Sequence, residues 1–274
     1  MNTFYRVVGG AAAILIGLGV LLGGIGFLLG GRMTQMPVAG VAFTGWGYNP
    51  LWGQDTVETS YPDGSVRKLD FELTCMDVQI LEGDGFWIKA ENVDGKRFST
   101  YQDGDTWKIR CDNKHLTSRK PIVGRNWEHN APQVTITVPR DFVVEELDLE
   151  LGMGTLTMDG VTTWKSDLEV GMGSMTLENF TSSECDLDAG MGSLVLNGKI
   201  TGKGDIKCGM GSIEMTLGGR EEDYGCRATV GMGTVILGSE STGGMDGEMT
   251  RRRDAPNFFN IDCGMGSVEI YFTE

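Results

Sequence analysis

The chain has 274 residues and a formal net charge of −15, with 38 acidic against 23 basic side chains. Nucleic-acid backbones are bound through clustered Lys and Arg, so this charge balance argues against a nucleic-acid partner. The chain contains 42 Gly but only 7 Pro. This composition is neither collagen-like nor typical of disorder, and it indicates turns at regular intervals.

An uncharged stretch runs from residue 7 to residue 31, between Arg6 and Arg32. As a helix it would be about 37 Å long, which is enough to cross a bilayer. A cleaved signal peptide has a shorter apolar region. We therefore predict a signal-anchor transmembrane helix over residues 1–32, followed by a juxtamembrane linker over residues 33–64. The positive-inside rule favours an exported body, by about one charge.

The apolar stretch also contains two pairs of glycines at small-xxx-small spacing, Gly19 with Gly23 and Gly26 with Gly30. Such pairs let two helices approach closely, so the anchor could self-associate. A generic Gly-rich anchor explains the same residues, and we prefer that interpretation.

A Gly-Met-Gly-[Ser/Thr] motif occurs six times in the second half of the chain. Its first glycines are Gly152, Gly171, Gly190, Gly209, Gly231 and Gly264, at spacings of 19, 19, 19, 22 and 33 residues. Apolar and polar residues alternate on both sides of each motif, which is typical of strands with one buried face. Equivalent apolar positions would stack about 4.8 Å apart in continuous columns. The sequence therefore predicts an all-β protein, a right-handed β-solenoid (β-helix) with rungs of about 19 residues, over residues 65–274.

The motif places two glycines and a methionine at each corner of the coil. We expect the glycines to adopt backbone φ values that other residues resist. The methionines form a further column, and we expect them to turn inward and fill the core. The alternative is an exposed stripe that is oxidisable or adhesive. The column consists of Met153, Met172, Met191, Met210, Met232 and Met265.

Six cysteines are present without a CxxC pair, and there are only two His, so a zinc site is not expected. Cys208 and Cys263 share one inward column, and Cys185 and Cys226 share another. If each pair is two rungs apart, its Cα atoms are about 9.6 Å apart, beyond the roughly 7 Å limit of a disulfide. We predict four buried free thiols. A bond between Cys75 and Cys111 stays open.

The outward-facing positions before each corner are often acidic. Weak candidates for a metal site are Asp148, Asp167, Asp186, Glu150, Glu169 and Asp188. Like charges on neighbouring strands repel one another, and a divalent cation or a cationic partner would relieve this repulsion. Screening by solvent and salt also explains the pattern, and we prefer that explanation.

Residues 239–257 lengthen the last repeat and contain Arg251, Arg252 and Arg253. Long loops on a rigid scaffold often carry binding functions, so this segment is a possible interaction loop. An insertion without a function is the equal alternative.

The order of these features resembles that of a known bacterial family. An apolar N-terminal stretch precedes Leu-Asp-Phe-Glu-Leu at residues 69–73, Val-Thr-Ile-Thr-Val-Pro at residues 134–139, and then the glycine corners. This order is similar to the bacterial "putative adhesin" β-helix family of unknown function, over about residues 66–274. The resemblance implies a non-catalytic cell-envelope protein, and it brings no catalytic residues and no cofactor.

The leading hypothesis is a membrane-tethered module on the cell surface, acting in adhesion or envelope-stress sensing. Its partner would be an envelope protein, a cationic peptide or a surface ligand. The alternative is a bactofilin-like structural polymer on the cytoplasmic face of the membrane, a compartment that suits free cysteines. No enzyme is expected. The acidic columns are not clustered around a unique base, and the known hydrolase and phosphate-binding motifs do not occur.

Overall fold

The computed structural model describes residues 52–61, 64–111 and 131–273. The predicted signal-anchor helix over residues 1–32 lies outside these residues. Within them, no helix is long and apolar enough to cross a membrane. The first strand lies inside the range predicted as a linker, so the β-structure begins earlier than the sequence indicated.

The described part of the chain is all-β, as predicted, and its strands belong to one hydrogen-bonded sheet that curls on itself. A single-turn 3-10 helix at Glu221–Asp223 accompanies them. The strands are β1 (Trp52–Tyr61), β2 (Lys68–Leu73), β3 (Met76–Gly83), β4 (Phe86–Val93), β5 (Phe98–Asp103), β6 (Thr106–Cys111), β7 (Gln133–Pro139), β8 (Val143–Leu151), β9 (Gly154–Asp159), β10 (Thr162–Val170), β11 (Ser174–Ala189), β12 (Ser193–Ile200), β13 (Lys203–Cys208), β14 (Ser212–Gly218), β15 (Tyr224–Val230), β16 (Thr234–Leu237), β17 (Glu240–Gly243), β18 (Gly247–Arg251), β19 (Asn257–Cys263) and β20 (Ser267–Thr273).

Fifteen of these strands form a stack of two-strand rungs, and each rung has a strand before its corner and a strand after it. In spatial order, rungs 1 to 8 are β6/β7, β2/β3, β8/β9, β10 with the start of β11, the end of β11 with β12, β13/β14, β19/β20 and β15/β16. Neighbouring rungs pair in parallel and in register. The 19-residue spacing therefore brings Leu149, Leu168 and Leu187 into one column. The right-handedness of the coil stays a prediction.

The core lies between the two layers of strands and consists of the apolar columns that the alternation predicted. On the strand before the corner, Leu149, Leu168, Leu187 and Ile206 are all buried. On the strand after it, positions such as Leu156 are equally inaccessible. Each burial removes apolar surface from water and contributes about 1.5–3 kcal/mol per large side chain. The strands on either side of Cys75, β2 and β3, form a rung of the same stack although they lack the Gly-Met-Gly motif, because β2 pairs in register with β8.

The spatial order of the rungs differs from the chain order at both ends. The last two strands of the chain, β19 and β20, insert between rung 6 and rung 8. This insertion corrects the predicted cysteine spacing. Cys208 and Cys263 are direct register partners on neighbouring strands, not two rungs apart. Cys185 and Cys226 are separated by both Gly204 and Phe259 in their column.

Close approach between backbones, and not an unusual φ, accounts for most of the corner glycines. Of the twelve glycines in the motifs, Gly154 alone has a φ in the left-handed region, at 114°. At Gly211, an added Cβ would lie 2.2 Å from the carbonyl oxygen of Gly192 in the rung below. Our expectation that these positions need glycine for its backbone φ is therefore wrong. They need glycine because the rungs pack too tightly at the corners for a side chain.

Antiparallel strands cover both ends of the stack. At one end, β5 pairs with β6, and β4 pairs with both β7 and β1. At the other end, β18 pairs with β15, and β17 pairs with β16. Since these strands reverse the direction of the coil, the parallel ladder ends at each of them.

Candidate binding surfaces

The strands before the corners in rungs 2 to 5 carry two adjacent columns of carboxylates, which we call the acidic face. It consists of Asp70, Glu72, Asp148, Glu150, Asp167, Glu169, Asp186 and Asp188. Residues two apart on a strand point to the same side, and parallel strands lie about 4.8 Å apart. All six candidates predicted from the sequence therefore belong to one regular grid on the outer face.

Burial and like charge both act on the middle of the acidic face. Partial burial raises the pKa of Asp148, and the neighbouring Asp70 and Asp167 raise it further. The pKa of Asp167 is raised in the same way, by burial and then by Asp186. Glu169 follows the same pattern. Burial is the larger cause of each of these shifts, and the like charge of neighbouring carboxylates adds to it.

Basic side chains meet the acidic face only at its edges. In rung 1, Arg110 contacts Asp70, and its Nε lies 3.2 Å from the Glu72 Oε1. In rung 6, Lys207 continues the second column beside Asp188. In the described residues, no Lys or Arg makes an ion pair with Asp148 or Asp167.

A third column runs beside the acidic face, and its charges alternate in sign. It consists of Lys68, Glu146, Lys165 and Glu184. The Lys68 Nζ lies 2.7 Å from the Glu146 Oε2, and this contact raises the pKa of Lys68. The same strands therefore carry one self-neutralising column next to two columns of a single sign.

The acidic columns do not converge as metal ligands do. Across the described ranges, no group of three or more His, Cys, Asp and Glu side chains could hold a metal ion. A flat sheet keeps neighbouring carboxylates at the strand spacing, whereas Ca²⁺ needs six to eight oxygens at about 2.3–2.6 Å. The metal hypothesis for these residues gains no support from the geometry.

The strands after the corners present an outer face of different chemistry. In rungs 3 to 8 its first column consists of hydroxylated residues, and we call this outer face the hydroxyl face. The column consists of Thr155, Ser174, Ser193, Ser212, Ser267 and Thr234. The Ser212 hydroxyl donates to the Ser193 Oγ at 3.2 Å, so neighbouring rungs are linked by neutral hydrogen bonds. The few carboxylates on this face include Glu178, Glu214 and Glu269.

The three arginines of the predicted interaction loop lie in different environments. Arg251 is buried in β18, where its Nη1 donates to the Leu237 carbonyl at 2.7 Å and its Nη2 lies 2.5 Å from the Glu221 Oε1. Its Nε also lies 3.0 Å from the Glu240 Oε1, although the angle is too poor for a hydrogen bond. We call the 3-10 helix together with β16, β17 and β18 the C-terminal cap. Arg251 thus holds this cap together and is not available to a partner. Arg252 and Arg253 are exposed.

The four thiols predicted to be buried and free are confirmed. Burial raises the pKa of Cys185 to about 12 and those of Cys208 and Cys226 to about 11. They stay protonated at neutral pH, and a thiol is a much weaker nucleophile than a thiolate. These thiols act as small core residues.

The corner methionines face solvent, which overturns our expectation that they fill the core. Their exposed fractions range from 40% at Met153 to 62% at Met232. Leu151 and Leu156 both face the core, which strict alternation between them would not allow, so the corner contains one extra residue. The methionine side chain therefore points outward. Alternation assigns faces along a strand, but it does not extend through the corner.

Comparison with known families identifies the fold. The sequence profile of the family described as Toastrack DUF4097 matches residues 66–236. The chain belongs to the Toastrack DUF4097 family. The family that the sequence resembled is confirmed. A comparison with curated proteins found no match.

Several solved structures are similar to this Toastrack chain. A "putative cell adhesion protein" from Clostridium sporogenes is 11% identical, with a TM-score of 0.40, and the match covers 80% of this chain and 99% of that one. A "putative adhesin" from Bacteroides fragilis is 16% identical, with a TM-score of 0.34, and the coverages are 82% and 100%. A "putative lipid binding protein" from Parabacteroides distasonis is 12% identical, with a TM-score of 0.38, and the coverages are 81% and 97%.

Proposed function

We propose that this protein is a non-catalytic, membrane-anchored binding module of the cell envelope, acting in adhesion or envelope-stress sensing, and that its acidic face docks a cationic surface on an envelope partner. Residues 7–31 would provide the tether and the positive-inside bias would place the body outside the cytoplasm. The proposal rests on the acidic face, because in the described residues no ion pair compensates Asp148 and Asp167 at its centre.

The neighbouring column shows why the acidic face needs an explanation. Lys165 lies between Glu146 and Glu184 on the neighbouring strands, so these strands can carry a column whose charges neutralise one another. Stacked like charges are destabilising by roughly 0.2–1 kcal/mol per pair. The carboxylates without an ion pair at the centre of this face, Asp148 and Asp167, therefore cost stability, whereas Asp70 and Glu72 are paired with Arg110 at its edge. A cationic partner would recover this energy on binding and would also associate faster through electrostatic steering.

The described residues offer no arrangement that supports catalysis. The buried thiols are protonated, and no cluster of three or more His, Cys, Asp and Glu forms within the described ranges. The covered ends of the stack also bear on the bactofilin-like alternative. A polymer grows by adding rungs to an open parallel edge, whereas β17 and β18 turn the outermost strands antiparallel. Both observations favour a discrete binding module.

The docking test compares the two faces at equal charge. A triple variant, Asp148→Asn, Asp167→Asn and Asp186→Asn, removes three charges from the acidic face. A matched variant, Glu178→Gln, Glu214→Gln and Glu269→Gln, removes three charges from the other face. We expect the first to weaken binding of a labelled oligolysine peptide at least about tenfold, since each lost contact is worth up to about 1 kcal/mol. Fluorescence anisotropy at physiological salt measures this. Equal affinities of the two variants would contradict docking on the acidic face.

The location of the body is tested separately. Ser241 is exposed on β17, so a Ser241→Cys variant offers a reactive thiol, whereas the four core thiols are buried. We expect a membrane-impermeant maleimide to label this variant on intact cells above the level of the unmodified chain. Labelling that occurs only after lysis would place the body in the cytoplasm and would restore the polymer alternative.

A further inference from the structure

Ten of the twelve methionines in the described residues fall into two groups, and Met245 and Met249 in the C-terminal segment belong to neither. Four lie in the core with at most 2% of their surface exposed, and these are Met76, Met158, Met175 and Met215. Six others occupy the same corner position in rungs 3 to 8 and are at least 40% exposed. In spatial order this methionine column consists of Met153, Met172, Met191, Met210, Met265 and Met232.

Backbone hydrogen bonds fix the methionine column in register. The Met172 amide donates to the Gly152 carbonyl at 2.8 Å, and the Met191 amide donates to the Gly171 carbonyl at the same distance. Equivalent bonds continue through the inserted rung to Met232. Tightly packed glycines on both sides of each methionine leave no space for the corner to shift. The backbones of successive corner methionines therefore lie about 4.8 Å apart, at the strand spacing, and their side chains leave the corner side by side.

Folding does not explain why these corners carry methionine. The side chains are 40–62% exposed, so a polar residue would satisfy the backbone equally well, and each methionine gains only part of the free energy of burial. The core has its own methionines, which fill space as usual. A solvent-exposed sulfur in six successive rungs is therefore a property of the surface, and its chemistry is that of a thioether.

Thioethers are neutral, soft donors, which among biological metal ions select Cu(I) and bind Ca²⁺, Mg²⁺ and Mn²⁺ poorly. Bonds between first-row metal ions and sulfur are about 2.3 Å long, as they are for zinc, so two sulfurs that bind one ion in a linear arrangement lie about 4.6 Å apart. That separation matches the rung spacing. Three rotatable bonds let each methionine adjust to an ion without backbone movement.

The surrounding charge favours a cation at this edge. Glu150, Glu169 and Asp188 lie three residues before Met153, Met172 and Met191, on the outer side of the strands that lead into the corners. They add negative potential at this edge of the fold, and the formal charge of −15 acts in the same sense. We propose that the methionine column is a binding site for the soft monovalent cation Cu(I), held between thioethers of neighbouring rungs.

The test titrates the full chain with Cu(I), kept reduced by ascorbate, against a chromophoric Cu(I) chelator. We expect the chain to withdraw at least one ion and to leave Zn²⁺ in solution. The triple variant Met172→Leu, Met191→Leu and Met210→Leu keeps the size and apolarity of the column and removes its sulfur. Its affinity should fall at least about tenfold, because thioether sulfur selects the ion. An apolar partner would not distinguish leucine from methionine.

A matched control removes the same number of sulfurs from the core. Met158→Leu, Met175→Leu and Met215→Leu should bind Cu(I) as the unmodified chain does. Cys75 precedes the methionine column in rung 2, so Cys75→Ser separates thiol binding from thioether binding. Binding that survives in the corner variant but disappears with Cys75→Ser would overturn the proposal. So would failure of the unmodified chain to bind Cu(I).

A second measurement needs no variant. With methyl-13C methionine, Ag(I) serves as a redox-stable probe of soft-metal sites, and we expect the corner methyl resonances to shift while those of the four core methionines stay fixed. Unchanged corner resonances would contradict the proposal. The result is independent of the docking proposed for the acidic face, because the Asp148→Asn, Asp167→Asn and Asp186→Asn variant keeps every corner sulfur and should still bind the ion.

Discussion

Carboxylates on the acidic face and at the C-terminal cap experience opposite electrostatic environments. Burial and neighbouring carboxylates raise the pKa of Asp148 and of Asp167. At the cap, hydrogen bonds from Arg251 and then from Ser239 lower the pKa of Glu221 to about 2. One region thus stacks like charges in rows, and the other pairs opposite charges around a buried guanidinium.

The difference separates surface from scaffold. Glu221 accepts from a buried arginine that also binds the Leu237 carbonyl, so the pair links the 3-10 helix, β16 and β18. Asp167 makes no comparable contact and lies in a row of its own kind. Charges that stabilise the fold are paired at its end, whereas charges that oppose it are arranged on one face, where a partner can reach them.

The largest expected effect comes from the centre of the cap. Arg251→Ala would leave Glu221 without its main partner and the Leu237 carbonyl without a donor, and breaking a buried pair costs about 3 kcal/mol or more. Urea denaturation should show this loss in the free energy of unfolding. Arg253→Ala is the control, because Arg253 is exposed, and it should change stability by less than about 0.5 kcal/mol. Equal effects would contradict the role of Arg251.

A smaller effect, with a defined pH dependence, is expected for Glu221→Gln. A hydrogen bond to a charged group contributes about 1.5–3 kcal/mol, so the variant should lose about 1.5 kcal/mol at pH 7. The pKa of Glu221 is lowered from 4.5 to about 2, so its contribution is complete above pH 4.5 and disappears as the pH falls towards 2. Unfolding curves of variant and unmodified chain should therefore converge near pH 2. A constant difference would contradict this linkage.

The acidic face should show the opposite sign. Asp167→Asn removes a charge from the middle of its column, so the free energy of unfolding should rise at pH 7 by about 0.5 kcal/mol. The raised pKa of Asp167 means that the native state binds its proton more readily. Below about pH 3.8, the ordinary pKa of an aspartate, protonation of Asp167 stabilises the native state relative to the unfolded state. This contribution to the free energy of unfolding is lost as the pH rises through the raised pKa. The gain from Asn should therefore be absent near pH 3.

Salt should produce the smallest change. Raising NaCl from 0.02 to about 0.5 M shortens the Debye length from roughly 20 Å to about 4 Å and screens the acidic face. The unmodified chain should gain a few tenths of a kcal/mol, and the triple asparagine variant should gain less. The same melting curves show whether the repulsion is electrostatic. Equal gains in both chains would place its source elsewhere.

The regular part of this fold could be predicted from the sequence because a fixed repeat and strict alternation determine which residues face the core. Leu149, Leu168 and Leu187 lie in one buried column, as their 19-residue spacing requires. The acidic face could be predicted for the same reason. Both depend only on the position of a residue within its own rung.

The order of the rungs could not be predicted in this way. Every rung presents similar apolar columns to its neighbours, so the pattern does not show that β19 fits between β13 and β15. Strands β17 and β18 pair with β16 and β15 and cover the end of the stack before the chain returns to form β19. The orientation of Met153 was missed for a different reason, because period-two alternation does not continue through a corner.

The insertion of β19 and β20 also affects how the protein is made. Strands β15 and β16 leave the ribosome first, yet their parallel partners are residues 257–273, which are synthesised later. Until those residues arrive, the parallel edges of β13, β14, β15 and β16 have no native neighbour, and exposed strand edges promote aggregation. Completing the stack requires contacts distant in sequence, which slows folding. The nascent chain is therefore most prone to aggregation in the interval before its final strands have emerged.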